Sequence, residues 1–122
     1  MPATLTLLLS GVALADDNNI DMVVSPSVLN IESNDGSISI HTDIGYVSEA
    51  DTTLEVNGTE IENIYTKTDS RGNLVVKCSI DTVKAIVISE DEATFTLTCN
   101  YNDGVYSGTD TITVIQIMPR KS

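Results

Sequence analysis

The sequence predicts an all-β protein, an antiparallel β-sandwich, and three observations predict it. Apolar side chains recur at every second position, as in Phe95, Leu97, Cys99 and Tyr101, which is the period of a half-buried strand. Turn-forming groups such as Asn57-Gly58 and Asn102-Asp103-Gly104 punctuate these runs at strand-length intervals. A length of 122 residues, 41% of them hydrophobic, suits one domain whose core needs no metal to hold it.

Taken in order, the elements read as follows. Val28 to Glu32 follows Ser25-Pro26-Ser27, where a proline suits an edge because its missing N–H faces outward. Asn34-Asp35-Gly36 is a turn, and Ser37 to Ile44 alternates polar with apolar. Thr52 to Val56 alternates likewise and closes on Asn57-Gly58, a pair that favours positive φ and a type I′ hairpin. Ile61, Ile64 and Tyr65 make a weaker strand, ended by the turn Asp69 to Asn73. Leu74, Val76, Cys78 and Ile80 share one face of the next strand. Asp81 to Ile86 reads as one helical turn capped by Asp81, with Val83 and Ile86 facing the core. Glu90-Asp91-Glu92 is a solvated loop before the clean strand around Phe95 and Leu97. A long last strand runs from Val105 to Ile117, with Ile112 and Val114 inward and a tail at 118–122. Strands this short, this many and this regularly spaced fit an immunoglobulin-like antiparallel β-sandwich of about seven strands, spanning 16–117.

Charge removes several functions. Eighteen acidic against six basic residues give a formal charge of −12. Nucleic acid and anionic membrane surfaces are recognised by Lys and Arg displacing counterions, so neither is an expected partner. One His and two Cys are too few ligands for a zinc module. His41 is the sole base available to a Ser-His-Asp triad, and no Gly-x-Ser-x-Gly elbow accompanies it, so the chain reads as no enzyme. The absence of Trp and the scarcity of other aromatics leave little to stack a sugar on.

The first residues indicate export. Ala3 to Ala15 is a mostly apolar run ending in Ala13-Leu14-Ala15 before Asp16-Asp17, the pattern of a signal-peptide core and its cleavage site. As a helix rising about 1.5 Å per residue it falls short of a hydrocarbon core roughly 30 Å thick, so it reads as a leader at 1–15 and not a transmembrane segment. No Lys or Arg precedes it. The expected location is extracellular, at the cell surface or periplasmic.

Four stretches carry a family resemblance. Val24-Ser25-Pro26-Ser27-Val28-Leu29-Asn30-Ile31-Glu32-Ser33 resembles the opening SPSTLNLKSKG of secreted immunoglobulin-like modules of bacteria and archaea, often found in surface or dockerin-associated multidomain proteins. Ser48 to Thr59 is similar to that family's DIDPSTVRLNGT, and Leu74 to Asp81 to its LMVKFDR, with Cys78 in place of Phe. Asn102 to Ile115 resembles TDGTPFEGSDTIRVI. The resemblance implies a β-sandwich without chemistry of its own. It also implies an acidic, calcium-competent loop before the Val-Lys strand. The matching stretch here retains Asp69 and Asn73 as oxygen donors, with Arg71 among them.

The remaining candidates are structural. Cys78 and Cys99 sit on inward alternations, and an even cysteine count in an exported chain favours a disulfide. Closing a loop of about 20 residues, it would stabilise the fold by roughly 3 kcal/mol. The other use of the pair is as two buried thiols. Asn57-Gly58-Thr59 is an N-glycosylation sequon at Asn57, placed on a turn that explains Asn-Gly by itself. Thr94, Thr96, Thr98 and Thr109, Thr111, Thr113 form outward threonine ladders.

These observations lead to a non-catalytic structural or adhesive module, acting by contact with a protein partner or by self-association, with edge strands such as Val105 to Ile117 as contact sites. The alternative is a calcium-dependent domain binding carbohydrate or protein. In that reading Asp51, Glu90, Asp91, Glu92 and Asp103 converge at one pole.

Overall fold

The computed structural model describes residues 18–32 and 36–116. The leader expected at 1–15, most of the turn at Asn34 to Gly36 and the tail at 118–122 lie outside the described residues. Nine strands and one helix make up the rest. They are β1 (Met22–Ser25), β2 (Val28–Asn30), β3 (Ser37–Gly45), β4 (Thr52–Val56), β5 (Thr59–Ile61), β6 (Tyr65–Thr68), β7 (Asn73–Ser79), α1 (Ile80–Val87), β8 (Glu92–Tyr101) and β9 (Gly104–Ile115). A single 3-10 turn at Glu49–Asp51 leads into β4.

The strands form two sheets, one in the order β1-β3-β7-β6 and the other β2-β9-β8-β4-β5. Two expectations are corrected here. Among the described residues there are nine strands, not about seven, and one strand pair is parallel: β2 runs alongside the end of β9, with Leu29 opposite Val114. The physical reason is a sheet switch. Ser25-Pro26-Ser27 separates a strand missed in the sequence, β1, from β2, and the two join different sheets. Pro26 has no N–H to give a ladder, so pairing breaks there. Similarly, the weak strand expected around Ile61 to Tyr65 is two short strands in different sheets.

The core lies between the sheets. Ile38, Ile40, Leu74 and Val76 from one sheet and Leu54, Val56, Phe95 and Leu97 from the other are fully buried. Their alternation along each strand is what directs them inward. Removing a side chain such as Phe95 down to Ala from a site like this costs about 3–5 kcal/mol. Three buried threonines satisfy their hydroxyls internally. Thr42 donates to the Leu74 carbonyl at 2.8 Å, Thr52 to that of Ser48 at 3.1 Å, and Thr66 to the Tyr46 hydroxyl at 3.5 Å.

The helical segment is longer than one turn and is set one step differently. Its N-cap is Ser79, whose Oγ accepts the Asp81 N–H at 3.1 Å, and Asp81 instead places its charge in the first turn. Ile80, Val83 and Val87 are buried, while Ile86 is half-buried.

The long last strand is not an edge. Asn18 to Ile20 lies along β9: Ile20 N–H donates to the Ser107 carbonyl at 2.8 Å and Ser107 N–H to that of Asn18 at 3.1 Å. Farther on, the Val24 N–H donates to an Asp110 carboxylate oxygen at 2.9 Å, and β2 covers Thr113 to Ile115. Among the described residues the terminal strands of the two sheets are thus β1 and β6 in one and β2 and β5 in the other, with β9 inside.

Candidate functional site

The sequence-predicted residues fall at separate places. Asp69 opens the β6–β7 hairpin, where one carboxylate oxygen accepts the N–H groups of Arg71 at 2.8 Å and Asn73 at 3.0 Å. These bonds hold its pKa below the ordinary carboxylate value. Asn73 itself belongs to β7, paired with Gly45. The carboxylate is thus occupied in shaping a turn. Among the described residues, no group of three or more His, Cys, Asp or Glu is gathered to hold a metal ion.

The acidic residues expected at one pole are divided between two. Glu92 begins β8, whereas Asp51 precedes Thr52, which pairs with Cys99 near the end of β8. Asp103 lies in the turn beyond that end. Strand β8 separates the groups by roughly 3.3 Å per residue along its length. Glu90, Asp91 and Glu92 instead border an open concavity of about 800 Å³ together with Asn57, Thr94 and Thr113.

Asn57 has a structural task there. It holds a φ of 51° with Gly58 at 87°, the hairpin conformation the dipeptide predicts. Its side-chain oxygen accepts the Thr94 N–H at 2.8 Å, and its amide nitrogen donates to the Glu92 carbonyl at 3.2 Å. The side chain therefore extends the β4–β8 ladder by one step past the last strand residue.

The disulfide expected between Cys78 and Cys99 is corrected to two free, buried thiols. Both face the core, but at opposite ends of it. Cys78 pairs with Ile38 beside the start of α1, whereas Cys99 pairs with Thr52, two residues from Tyr101, whose hydroxyl donates to the Gly45 carbonyl. Gly45 lies opposite Asn73, at the far end of β7 from Cys78. A disulfide needs Cα atoms within about 7 Å, and several residues of strand intervene. Burial pushes the Cys78 thiol up to about 11 and raises that of Cys99. Neither is a nucleophile at neutral pH.

What the fold does assemble is a pair of unlike outer faces. On the four-stranded sheet the register sets Val23, His41, Val75 and Lys67 in one row across the strands, and Ser25, Ser39, Lys77 and Tyr65 in the next. Val23 and Tyr65 are 61% and 60% exposed. Val75 shares this row yet is only 1% exposed. On the five-stranded sheet, Glu55 stands directly opposite Glu60, and Thr96 and Thr109 continue that row. Thr94 and Thr111 are bonded Oγ1 to Oγ1 at 3.0 Å, so the expected threonine ladders do pair. Every outward position of this sheet is neutral or acidic.

Sequence reasoning missed this polarity. Lys77 is visible as an outward position, but placing Lys67 beside it requires the β6–β7 register. Tyr106 is half-buried edge-to-face against Tyr101, with ring centroids 5.0 Å apart. Among the described residues no helix is long and apolar enough to cross a membrane. No family model and no curated protein matches the chain.

Proposed function

We propose that this chain is an exported, immunoglobulin-like module without catalytic activity, working through protein–protein contact at the cell surface or in the periplasm. The observation that carries the reading is the strand order. Taking β1, β3, β7 and β6 as strands A, B, E and D, and β4, β8 and β9 as C, F and G, this order supports an immunoglobulin scheme of ABED against GFC. In the same scheme β2 is a detached half of strand A lying beside G, and β5 extends the sheet past C.

The side chains support a contact role over chemistry. The two thiols are buried and protonated, and His41 stands in the open among strand residues of the outer face. The apolar leader at 1–15 supports export. The resemblance of Val24 to Ile115 to secreted immunoglobulin-like modules supports the same assignment.

Sedimentation of the fluorescently labelled chain, alone and in an extract of its native cell surface, tests the role. A faster-sedimenting species in the extract is expected. Identical sedimentation in both would overturn it.

A further inference from the structure

We propose that copies of this chain stack sheet on sheet, the Lys67–Lys77 face of one copy seating on the Glu55–Glu60 face of the next. The inference rests on the contact role proposed above and names both the surface and the partner, a second copy.

Three observations carry it. The first is an uncompensated pair of carboxylates. Glu55 and Glu60 face each other directly across β4 and β5, an arrangement that destabilises a sheet unless a cation answers it. Among the described residues neither has an ion-pair partner. The second is the matching surplus. Lys67 and Lys77 lie on adjacent strands of the opposite outer face, one register step apart, and likewise make no ion pair among the described residues. Of the four basic residues among the described ones, two stand together on this sheet face, with Asp43 the acidic residue farther along β3. The third is apolar. Tyr65 stands directly opposite Lys77, Val23 lies on β1 at the far edge of the same face, and both are more than half exposed, giving a contact something to bury.

The geometry is head-to-tail. The donor and acceptor faces are on opposite sides of one sandwich, so a contact leaves each copy with one free face of each kind. Such a heterologous interface propagates into an open stack, not a closed dimer. Each interface is small, about four strands by two side-chain rows, and belongs to the weak class, gaining strength by repetition. A net charge of −12 does not forbid it. At about 0.15 M salt the screening length is about 8 Å, short against the separation of whole copies but not against a contacting Lys–Glu pair.

The test is sedimentation velocity of the purified chain across a wide concentration range at about 0.15 M salt. The wild-type sedimentation coefficient should rise steadily with concentration. Lys67→Glu/Lys77→Glu and Glu55→Lys/Glu60→Lys should each weaken association by about tenfold or more. An equimolar mixture of the two variants should associate again, because each variant then meets a face of opposite sign. That recovery also shows that both are folded. A wild type that stays monomeric, variants that associate like wild type, or a mixture that stays monomeric would each overturn the stack. Binding of polyglutamate to the lysine face of a monomeric wild type would assign that face to another acidic occupant. If the labelled chain still sediments faster in its surface extract, only the stack has failed and the contact role stands.

Discussion

Gly108 lies directly beneath Ile20. A Cβ at Gly108 would stand 2.9 Å from the Ile20 Cβ and 3.1 Å from its carbonyl carbon, and nearer still to the carbonyl oxygen. The absent side chain is what allows the segment before β1 to lie along β9 and bury Ile20 to 2% exposure.

Gly108→Ala should therefore destabilise the fold by about 1–3 kcal/mol, the range for forcing atoms into an occupied site. Denaturant unfolding measures it. Gly45→Ala, where a Cβ meets nothing within 4 Å, is the internal comparison and should change stability little. Equal losses at both sites would refute this account of Gly108.

Asp110→Ala should cost about 1–3 kcal/mol, since the buried Val24 N–H then loses its acceptor. Asp110→Asn keeps an oxygen at that position and should lose less. The ordering of the two variants in chemical denaturation is the check; Asn as damaging as Ala would mean the bond contributes nothing.

Asn57→Gly keeps the positive φ but removes two side-chain hydrogen bonds, while Asn57→Ala removes both the bonds and the conformational ease. The expected order of stability is wild type, then Gly, then Ala, with the whole span about 1–3 kcal/mol. Thermal melts of the three proteins decide it.

Thiol titration with a disulfide reagent should find two cysteines per chain after unfolding and almost none before it. The intact mass should be unchanged by reductant. Because the folded Cys78 keeps its proton to about 11 against an ordinary value of 9.0, the folded state binds more protons between those values. Stability should accordingly fall as pH rises through that window. A non-reduced mass lower by two hydrogen atoms would show a bridge.

Asp69 has the opposite sign. Its folded pKa lies below 3.8, so the unfolded state binds more protons there, and stability is present above that value and lost as pH falls through the folded pKa. Asp69→Asn, which retains an acceptor for Arg71 and Asn73 but does not titrate, should flatten this acid limb. Amide chemical shifts of Arg71 and Asn73 followed from neutral to strongly acid pH report it locally. Identical acid limbs in both proteins would disprove the contribution.

Much of the core could be read directly. The alternation at Phe95, Leu97 and Cys99 and at Leu74, Val76 and Cys78 indicates which side of a strand is buried, and Asn57-Gly58 specifies its own turn. Alternation does not say which end of a strand a residue occupies in space. Cys78 and Cys99 consequently looked pairable, although the register separates them. The same blindness grouped Asp51 with Glu90. The helix start was offset because Ser79 and Asp81 are both good caps, and the alternation that runs through Ile80 does not reveal that Ile80 already belongs to the helix. Least legible was the partition of Met22 to Asn30 between two sheets, and with it the covering of β9. That depends on contacts across more than eighty residues, such as Val24 with Asp110. The placing of Lys67 beside Lys77 and of Glu55 opposite Glu60 is hidden for a related reason, since both follow from pairings between strands.

The bonds from Asn18 and Ile20 to Ser107, and of Leu29 beside Val114, join the earliest described residues to the last strand. A polypeptide made from its amino end must then wait for β9 before the two sheets are closed along that seam. Until then, β1 and β2 lack their closing neighbour. Completion of the native state therefore comes late, once β9 is available, and proceeds at the unhurried pace typical of distant strand pairings.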